Sequence, residues 1–315
     1  MSAGPARILV TGATGFLGSA LCPALRQSGA EVVALGSRDA DLTDPTSLAK
    51  VGTGRFDRIY HLAAWTQAGD FCLRHPGEQW LINQQINTTV LRYWAESQPQ
   101  AKLVSIGTSC AYAEGSGHKE EEYLEGTPTE SLFTYAMTKR MLQVGQESIR
   151  RQFGLDYLTV VPSTLYGPGY IVDGKQLHFI FDLAVKMLRS KELGEQVVLW
   201  GDGTQRRELV HVADFVTTLF DLETRTTNDV VNIGAGSDFS LRECAGILAD
   251  LVGISPAGIQ WDRSRYVGAM VKRLDTSKVD ALLPDRPRRD LRAGLSELVA
   301  WLRATGGHLG KRTAA

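Results

Sequence analysis

The chain has 315 residues, 43% of them hydrophobic, and 34 lysines and arginines against 35 aspartates and glutamates leave a net charge of −1. That composition can fill a sizeable core and excludes a disordered chain. The balanced charge excludes the concentrated basic surface of a nucleic-acid binder, so no nucleic-acid partner is expected.

No run approaches the ~18 apolar residues of a membrane span, so no membrane partner is expected either. The opening MSAGPARILVTGATG lacks a charged segment followed by an apolar one, and a signal peptide is not expected. Cys22, Cys72, Cys110 and Cys244 form neither a CxxC pair nor a zinc-like spacing with histidine. Reduced thiols in a cytoplasmic protein, with no metal site, are the expectation.

In chain order, 7–11 (RILVT) reads as a buried strand, followed by the glycine-rich stretch 12–18 and a helix over 16–27. Gly29 ends the helix, and 31–35 (EVVAL) is the next strand. This is a strand-turn-helix-strand unit, half of a nucleotide-binding fold. The alternation continues with a strand over 58–63, a helix over 78–97, a strand over 102–106, a helix over 135–152 and a strand over 156–161. Such alternation predicts an α/β fold, a doubly wound parallel-sheet Rossmann fold covered on both faces.

After Tyr166-Gly167-Pro168 the rhythm breaks. A helix is expected over 178–189, short strands over 197–200, 207–212 and 231–233, and helices over 241–252 and 291–303, before a mobile basic tail. This divides the chain into a nucleotide-binding domain over 1–165, with return segments near 208–236, and a smaller C-terminal substrate-binding lobe over 166–315.

Gly12-Ala13-Thr14-Gly15-Phe16-Leu17-Gly18 spaces its glycines as GxxGxxG between strand and helix. Gly12 permits a tight turn, Gly15 lets the backbone approach a pyrophosphate, and Gly18 lets helix and strand pack closely. The helix N-terminus offers unpaired N–H groups to the phosphates. Where an acidic residue at the end of the second strand would hold a ribose 2′-hydroxyl and favour NAD, this chain has Ser37-Arg38, suited to the 2′-phosphate of NADP(H). Asp39 follows directly and could serve a ribose hydroxyl instead.

Tyr135 and Lys139 form a Tyr-x-x-x-Lys pair, which shares one helix face. A lysine there favours phenolate, and such a tyrosine can move a proton to or from a sugar oxygen. The pair lies about 120 residues after the glycine loop and follows Gly107-Thr108-Ser109-Cys110 at a strand end.

TGATGFLG, the HLAA of 61–64, YAMTK and the PSTLYGP of 162–168, in this order, resemble the extended short-chain dehydrogenase/reductase family, over residues 7 to about 300. The resemblance implies that Thr108, Tyr135 and Lys139 form the catalytic triad and that Asn83 supports a proton relay. It places Gly12, Thr14, Gly15, Phe16, Leu17, Gly18, Ser37 and Arg38 at the cofactor. Asp41, Leu42, Leu62, Ala63, Ala64, Pro162, Leu165 and His178 are expected beside it, with Tyr135 and Lys139.

Sugar 4,6-dehydratases follow the catalytic threonine with Asp-Glu; Ser109-Cys110 stands here instead. Cys110 read by itself is a buried neutral thiol. With His178 ten residues after Pro168 it resembles the base and acid of the GDP-L-fucose synthase branch. The same resemblance makes Cys110, Thr164, Lys186, Trp200, Arg207 and Lys272 substrate contacts, and the family's habit of pairing through two helices implies a homodimer near 78–97 and 135–152.

The sequence departs from that branch at Thr108 (usually serine), Thr164 (usually asparagine), Ala64-Trp65-Thr66-Gln67 (usually glycine-rich), Val267-Gly268 (usually Asp-Gly) and 169–176 (usually with asparagines). The expected activity is that of an NADPH-dependent nucleotide-sugar epimerase/reductase, with C3/C5 epimerisation and C4-keto reduction of an NDP-4-keto-6-deoxyhexose, a GDP-sugar favoured. The alternatives are a 4-reductase or single-position epimerase on a related sugar or heptose, and a non-catalytic nucleotide-sensing or interaction protein.

Overall fold

The structure, a computed structural model, describes residues 4–51, 54–67, 71–172, 176–264 and 270–310. Val267 and Gly268 lie outside the described residues, as do positions 173–175 of the 169–176 segment.

The elements run β1 (Arg7–Thr11), α1 (Phe16–Gln27), β2 (Glu31–Leu35), β3 (Arg58–His61), α2 (Phe71–Arg74), α3 (Pro76–Ser97), β4 (Lys102–Ile106), α4 (Phe133–Phe153), β5 (Tyr157–Pro162) and β6 (Thr164–Tyr166). They continue with α5 (Phe179–Leu193), β7 (Val198–Trp200), β8 (Arg206–His211), α6 (Val212–Arg225), β9 (Asp229–Ile233) and β10 (Asp238–Ser240). The chain closes with α7 (Leu241–Val252), β11 (Gln260–Asp262), β12 (Val271–Lys272), α8 (Ser277–Leu282) and α9 (Leu291–Thr305).

Six parallel strands form the main sheet in the order β2-β1-β3-β4-β5-β9. Strand side chains alternate between its faces. Ile8, Val10, Tyr60, Val104 and Val160 pack against Leu21 and Leu25 of α1 and Phe215, Leu219 and Leu222 of α6. Leu9, Ile59, Leu103 and Tyr157 pack on the other side against Ile86, Val90 and Trp94 of α3. This two-sided burial explains the near-continuous apolar strands. The order reverses between β1 and β3, so the crevice beyond their carboxyl ends is the ligand position of an open α/β sheet.

The helix α6 was not anticipated from the sequence. His211, the last residue of β8, is also its N-cap, its Nδ1 accepting from the Ala213 N–H at 3.3 Å, so no loop announces the helix. Its buried Phe215, Leu219 and Leu222 follow helical spacing, each contributing roughly 1.5–3 kcal/mol. Within 208–236, β9 joins the main sheet, while β8 belongs to a second sheet ordered β10-β8-β12, with β6 paired to β8.

The remaining segments pack α5, α7 and α9 around Phe181, Met187, Leu248, Leu295 and Leu298. Tyr166 and Leu209 from β6 and β8 join this core and tie it to the second sheet. The expected mobile tail is folded as far as residue 310. His308 is buried, with Nδ1 3.0 Å from the Leu302 carbonyl and Nε2 2.6 Å from Glu192. Among the described residues, no helix is long and apolar enough to cross a membrane.

Candidate active site

Gly12 has φ +68°, and a Cβ there would lie 2.7 Å from the Ala63 nitrogen. A Cβ on Gly18 would lie 2.4 Å from the Gly12 oxygen. Both positions therefore require glycine, and the loop can sit down between the ends of β1 and β3. Thr14 reaches the end of β2, where its side chain packs against Gly36.

Gly15 caps α1 without a side-chain hydrogen bond. The first-turn N–H groups lack intrahelical acceptors, which suits them to an anion. Phe16 makes edge contacts with Tyr170 and Phe181, at centroid distances of 5.3 and 5.5 Å, linking the glycine-loop helix to α5. These features fit a dinucleotide pyrophosphate.

Ser37 and Arg38 are exposed at the tip of the turn after β2. Asp39 accepts from the Gly36 N–H at 2.8 Å, so its carboxylate closes the turn. Asp41 accepts from Thr43, and Leu42 is buried in the sheet's second face. Leu62 and Ala63 continue β3 beside the loop, with their N–H groups directed to the Thr11 carbonyl and Oγ1 at 3.2 and 3.4 Å; Ala64 follows them. Pro162 ends β5, and Thr164 and Leu165 lie in β6, opposite Leu209 and Val210 of β8.

Thr108 caps a 3-10 turn over Ser109–Ala111, its Oγ1 accepting from the Cys110 N–H at 3.2 Å. The Tyr135 phenol is hydrogen-bonded to Thr108. The Thr108 N–H in turn donates to the buried Tyr123 Oη at 3.3 Å. Lys139 Nζ donates to the Ile106 carbonyl at 2.8 Å, and burial lowers its pKa to about 8. The expected lowering of the Tyr135 pKa is not what this geometry gives. Burial raises it, reinforced by Cys110, Tyr123 and Cys72 and opposed by the Thr108 hydrogen bond.

Asn83 braces the chain after β3. Its Oδ1 accepts from the Trp65 N–H at 2.9 Å, and its Nδ2 donates to the Trp65 and Gln79 carbonyls at 3.0 and 2.8 Å. One turn on, Asn87 bridges His61 and α4, with Oδ1 3.1 Å from His61 Nε2 and Nδ2 donating to the Thr138 carbonyl at 3.3 Å. His61 Nδ1 sits 2.9 Å from Thr11 Oγ1. This buried chain joins β1 to α4 between Tyr135 and Lys139. Sequence reasoning gave His61 and Asn87 no role; the only signal was the histidine of HLAA at a strand end.

Cys110 is half-buried, and the Lys272 Nζ donates to its Sγ at 3.5 Å. His178 is the N-cap of α5. It is solvent-accessible but crowded by protein, which lowers its pKa, with a further lowering from Lys272. Cys72 of α2, also without a role in the sequence reading, is buried and hydrogen-bonded to Gln79, within electrostatic reach of Cys110, Tyr135 and Lys272. Its spacing carried no motif that could have marked it.

On the outer side, Lys186 pairs with Asp182 one turn earlier on α5, at 2.7 Å. Trp200 is 45% exposed on β7. Arg207 is in register with Lys272 across β8 and β12, and its Nη1 donates to the Arg206 carbonyl at 2.8 Å.

A glycine loop at the switch point of a doubly wound sheet, with a Thr-Tyr-Lys set at a neighbouring strand end, defines the class of Rossmann-type dinucleotide-binding proteins. The chain belongs to the NAD dependent epimerase/dehydratase family, whose pattern matches residues 8–234.

Among its relatives, a dTDP-4-dehydro-6-deoxy-D-allose reductase of Streptomyces sp is 28% identical over 94% of this chain and 96% of that protein. GDP-L-fucose synthase 1 of Arabidopsis thaliana is 29% identical over 96% of this chain and 94% of that one. A GDP-L-fucose synthetase from Naegleria fowleri, solved bound to NADP, superposes with a TM-score of 0.85 at 22% identity, covering 96% of this chain and 94% of that one.

Proposed function

We propose that the protein is an NADP(H)-dependent nucleotide-sugar epimerase/reductase acting on an NDP-4-keto-6-deoxyhexose, with a GDP-sugar favoured. The observation that carries this reading is the placement of Cys110 two residues beyond Thr108, so that the capped turn presents a thiol beside the Thr108–Tyr135 hydrogen bond.

The Gly12–Gly18 cradle, the α1 N-terminus and Lys139 would hold NADP(H), with Ser37 and Arg38 at the 2′-phosphate. When bound there, NADPH would supply the hydride for reduction at C4. Thr108 hydrogen-bonds the C4 oxygen, and Tyr135 gives that oxygen its proton. The raised Tyr135 pKa keeps the phenol protonated and ready to donate. Lys139 lies one helical turn away, and its pKa of about 8 lets it supply or accept a proton near neutrality.

Cys110 removes the protons at C3 and C5, where the ketone acidifies the carbon, and His178 returns them from the other face. Lys186, Trp200, Arg207 and Lys272 contact the nucleotide diphosphate and sugar, with Thr164 at the sugar. For Lys186 this means exchanging Asp182 for phosphate.

Thr164 favours a second reading, a 4-reductase or single-position epimerase on a related sugar or heptose. It stands in β6 where the synthase branch has an asparagine, so the pocket differs from that branch at a sugar contact. The Streptomyces relative, a dTDP-4-dehydro-6-deoxy-D-allose reductase, agrees with this reading.

A homodimer through α3 and α4 is supported by Trp80, Leu81, Met141 and Val144, large apolar side chains exposed on these two adjacent helices. A cytoplasmic location is supported by four free cysteines, the state a reducing compartment maintains.

The test is incubation with GDP-4-keto-6-deoxy-mannose and NADPH. Net NADPH oxidation with a reduced sugar product is expected. An untouched substrate would remove this sugar and direct the search to other nucleotide sugars; turnover of sugar without NADPH oxidation would leave only an epimerase.

A further inference from the structure

Lys272 stands 162 residues from Cys110 in the chain, yet its ammonium meets the thiol sulfur at 3.5 Å. Buried hydrogen bonds hold this meeting from both sides. The two residues of β12 pair with β8, Lys272 opposite Arg207. Just beyond them, the buried Glu208 carboxylate accepts from the Leu274 N–H at 3.0 Å and the Gly236 N–H at 2.8 Å.

Cys110 is fixed by the Thr108-capped turn. The chain after it is tied to the same strand region through the fully buried Asn232. Tyr112 Oη donates to Asn232 Oδ1 at 2.7 Å, and Asn232 Nδ2 donates to the His118 and Asp275 carbonyls at 2.9 and 3.0 Å.

We infer that Lys272 is a positioning residue for the chemistry, the counter-ion that holds Cys110 as thiolate, so that the base of the epimerase step is a Cys110–Lys272 couple. The inference rests on the epimerase reading of this site. The thiolate takes a proton from the sugar carbon beside the ketone: the S–H bond forms, the C–H bond breaks, and the electron pair moves to the ketone oxygen as enolate. No electrons are gained or lost.

Among the described residues, the other titratable groups facing the couple are Tyr135, Tyr123 and Cys72 around the sulfur and His178 and Arg207 beside the ammonium. Arg207 is a second cation beside Lys272; the contact with the sulfur is made by the Lys272 ammonium. A lysine serving only as a substrate contact would leave the free protein's thiol unaffected; a counter-ion would not.

The test measures iodoacetamide alkylation of the full-length protein across pH, with Cys110 resolved from the other thiols by mass spectrometry. In Lys272→Met, alkylation of Cys110 near neutral pH is expected to slow about tenfold and its profile to move to higher pH. Lys272→Arg, which keeps the charge, is expected to stay near the wild-type profile, and Lys272→Gln repeats the charge removal in case the methionine variant does not fold. Identical wild-type and Lys272→Met profiles would overturn the inference, as would a Lys272→Arg profile displaced as far as that of Lys272→Met.

Because no sugar is present, the result is separate from the epimerase reading. A Lys272-dependent profile without solvent deuterium entering the sugar keeps the couple and removes the epimerase. Deuterium uptake with a Lys272-independent profile keeps the epimerase and removes the couple.

Discussion

The crevice between β1 and β3 and the pocket around Cys110, α5 and β12 are built by different means. The crevice is backbone against backbone: Gly12 against Ala63, Gly18 against Gly12, and a buried Thr11–His61–Asn87 chain beneath them. The pocket is assembled from side chains on elements far apart in sequence, such as Lys272 at Cys110 and Phe16 against Tyr170 and Phe181. A cofactor shared by many enzymes can be held by a contiguous, glycine-dependent loop. A particular sugar has to be recognised by side chains that several short elements bring together.

Four substitutions bear on that contrast. The largest expected effect is at the junction of the two regions. Tyr135→Phe should lower turnover by about 10²–10⁴ with cofactor affinity retained, measured by steady-state kinetics and NADPH titration. A loss of NADPH binding of the same size would mean that the phenol belongs to the cofactor site rather than to the chemistry.

On the crevice side, Arg38→Ala should reduce the preference for NADPH over NADH by roughly 10–100-fold, the size of a lost charge-assisted hydrogen bond of ~1.5–3 kcal/mol. An unchanged ratio of the two kcat/KM values would move 2′-phosphate recognition elsewhere.

On the pocket side, Lys186→Ala should raise the KM for the nucleotide sugar by about tenfold while kcat stays within about twofold, the mark of a contact made equally before and during reaction. An equal fall in kcat would place Lys186 in the chemistry.

The smallest effect concerns pH. Burial first, and then the Lys139 charge, hold the His61 pKa down to about 4 against the opposing hydrogen bond to Asn87. The folded chain binds this proton less readily than the unfolded one. The stability that neutral His61 contributes is therefore complete above an unfolded value of about 6.5 and is lost as pH falls towards about 4. His61→Gln should flatten the change in urea midpoint between about pH 7 and pH 5. A parallel decline in both proteins would contradict the assignment.

The same contrast explains what could be read from the amino acids. The RILVT strand, the 16–27 helix and the 31–35 strand have the expected bounds because turn glycines and apolar runs are local signals. Thr108, Tyr135 and Lys139 were legible because they share one strand end and one helix.

His61 was not legible as part of a network, since its partners Thr11 and Asn87 are 50 and 26 residues away. Asn83, expected in a relay, has both its oxygen and its nitrogen engaged by backbone groups instead. Cys72 carried no spacing, and the pairing of Lys272 with Cys110 depends on a two-residue strand with no periodicity to detect.

Central to the account is a site that exchanges protons beside the ketone and then reduces it. The most direct measurement is NMR of the product formed from GDP-4-keto-6-deoxy-mannose and NADPH in deuterated water. Solvent deuterium at C3 and C5 together with a reduced C4 is expected. Reduction at C4 without deuterium at either carbon would contradict it and leave a plain reductase.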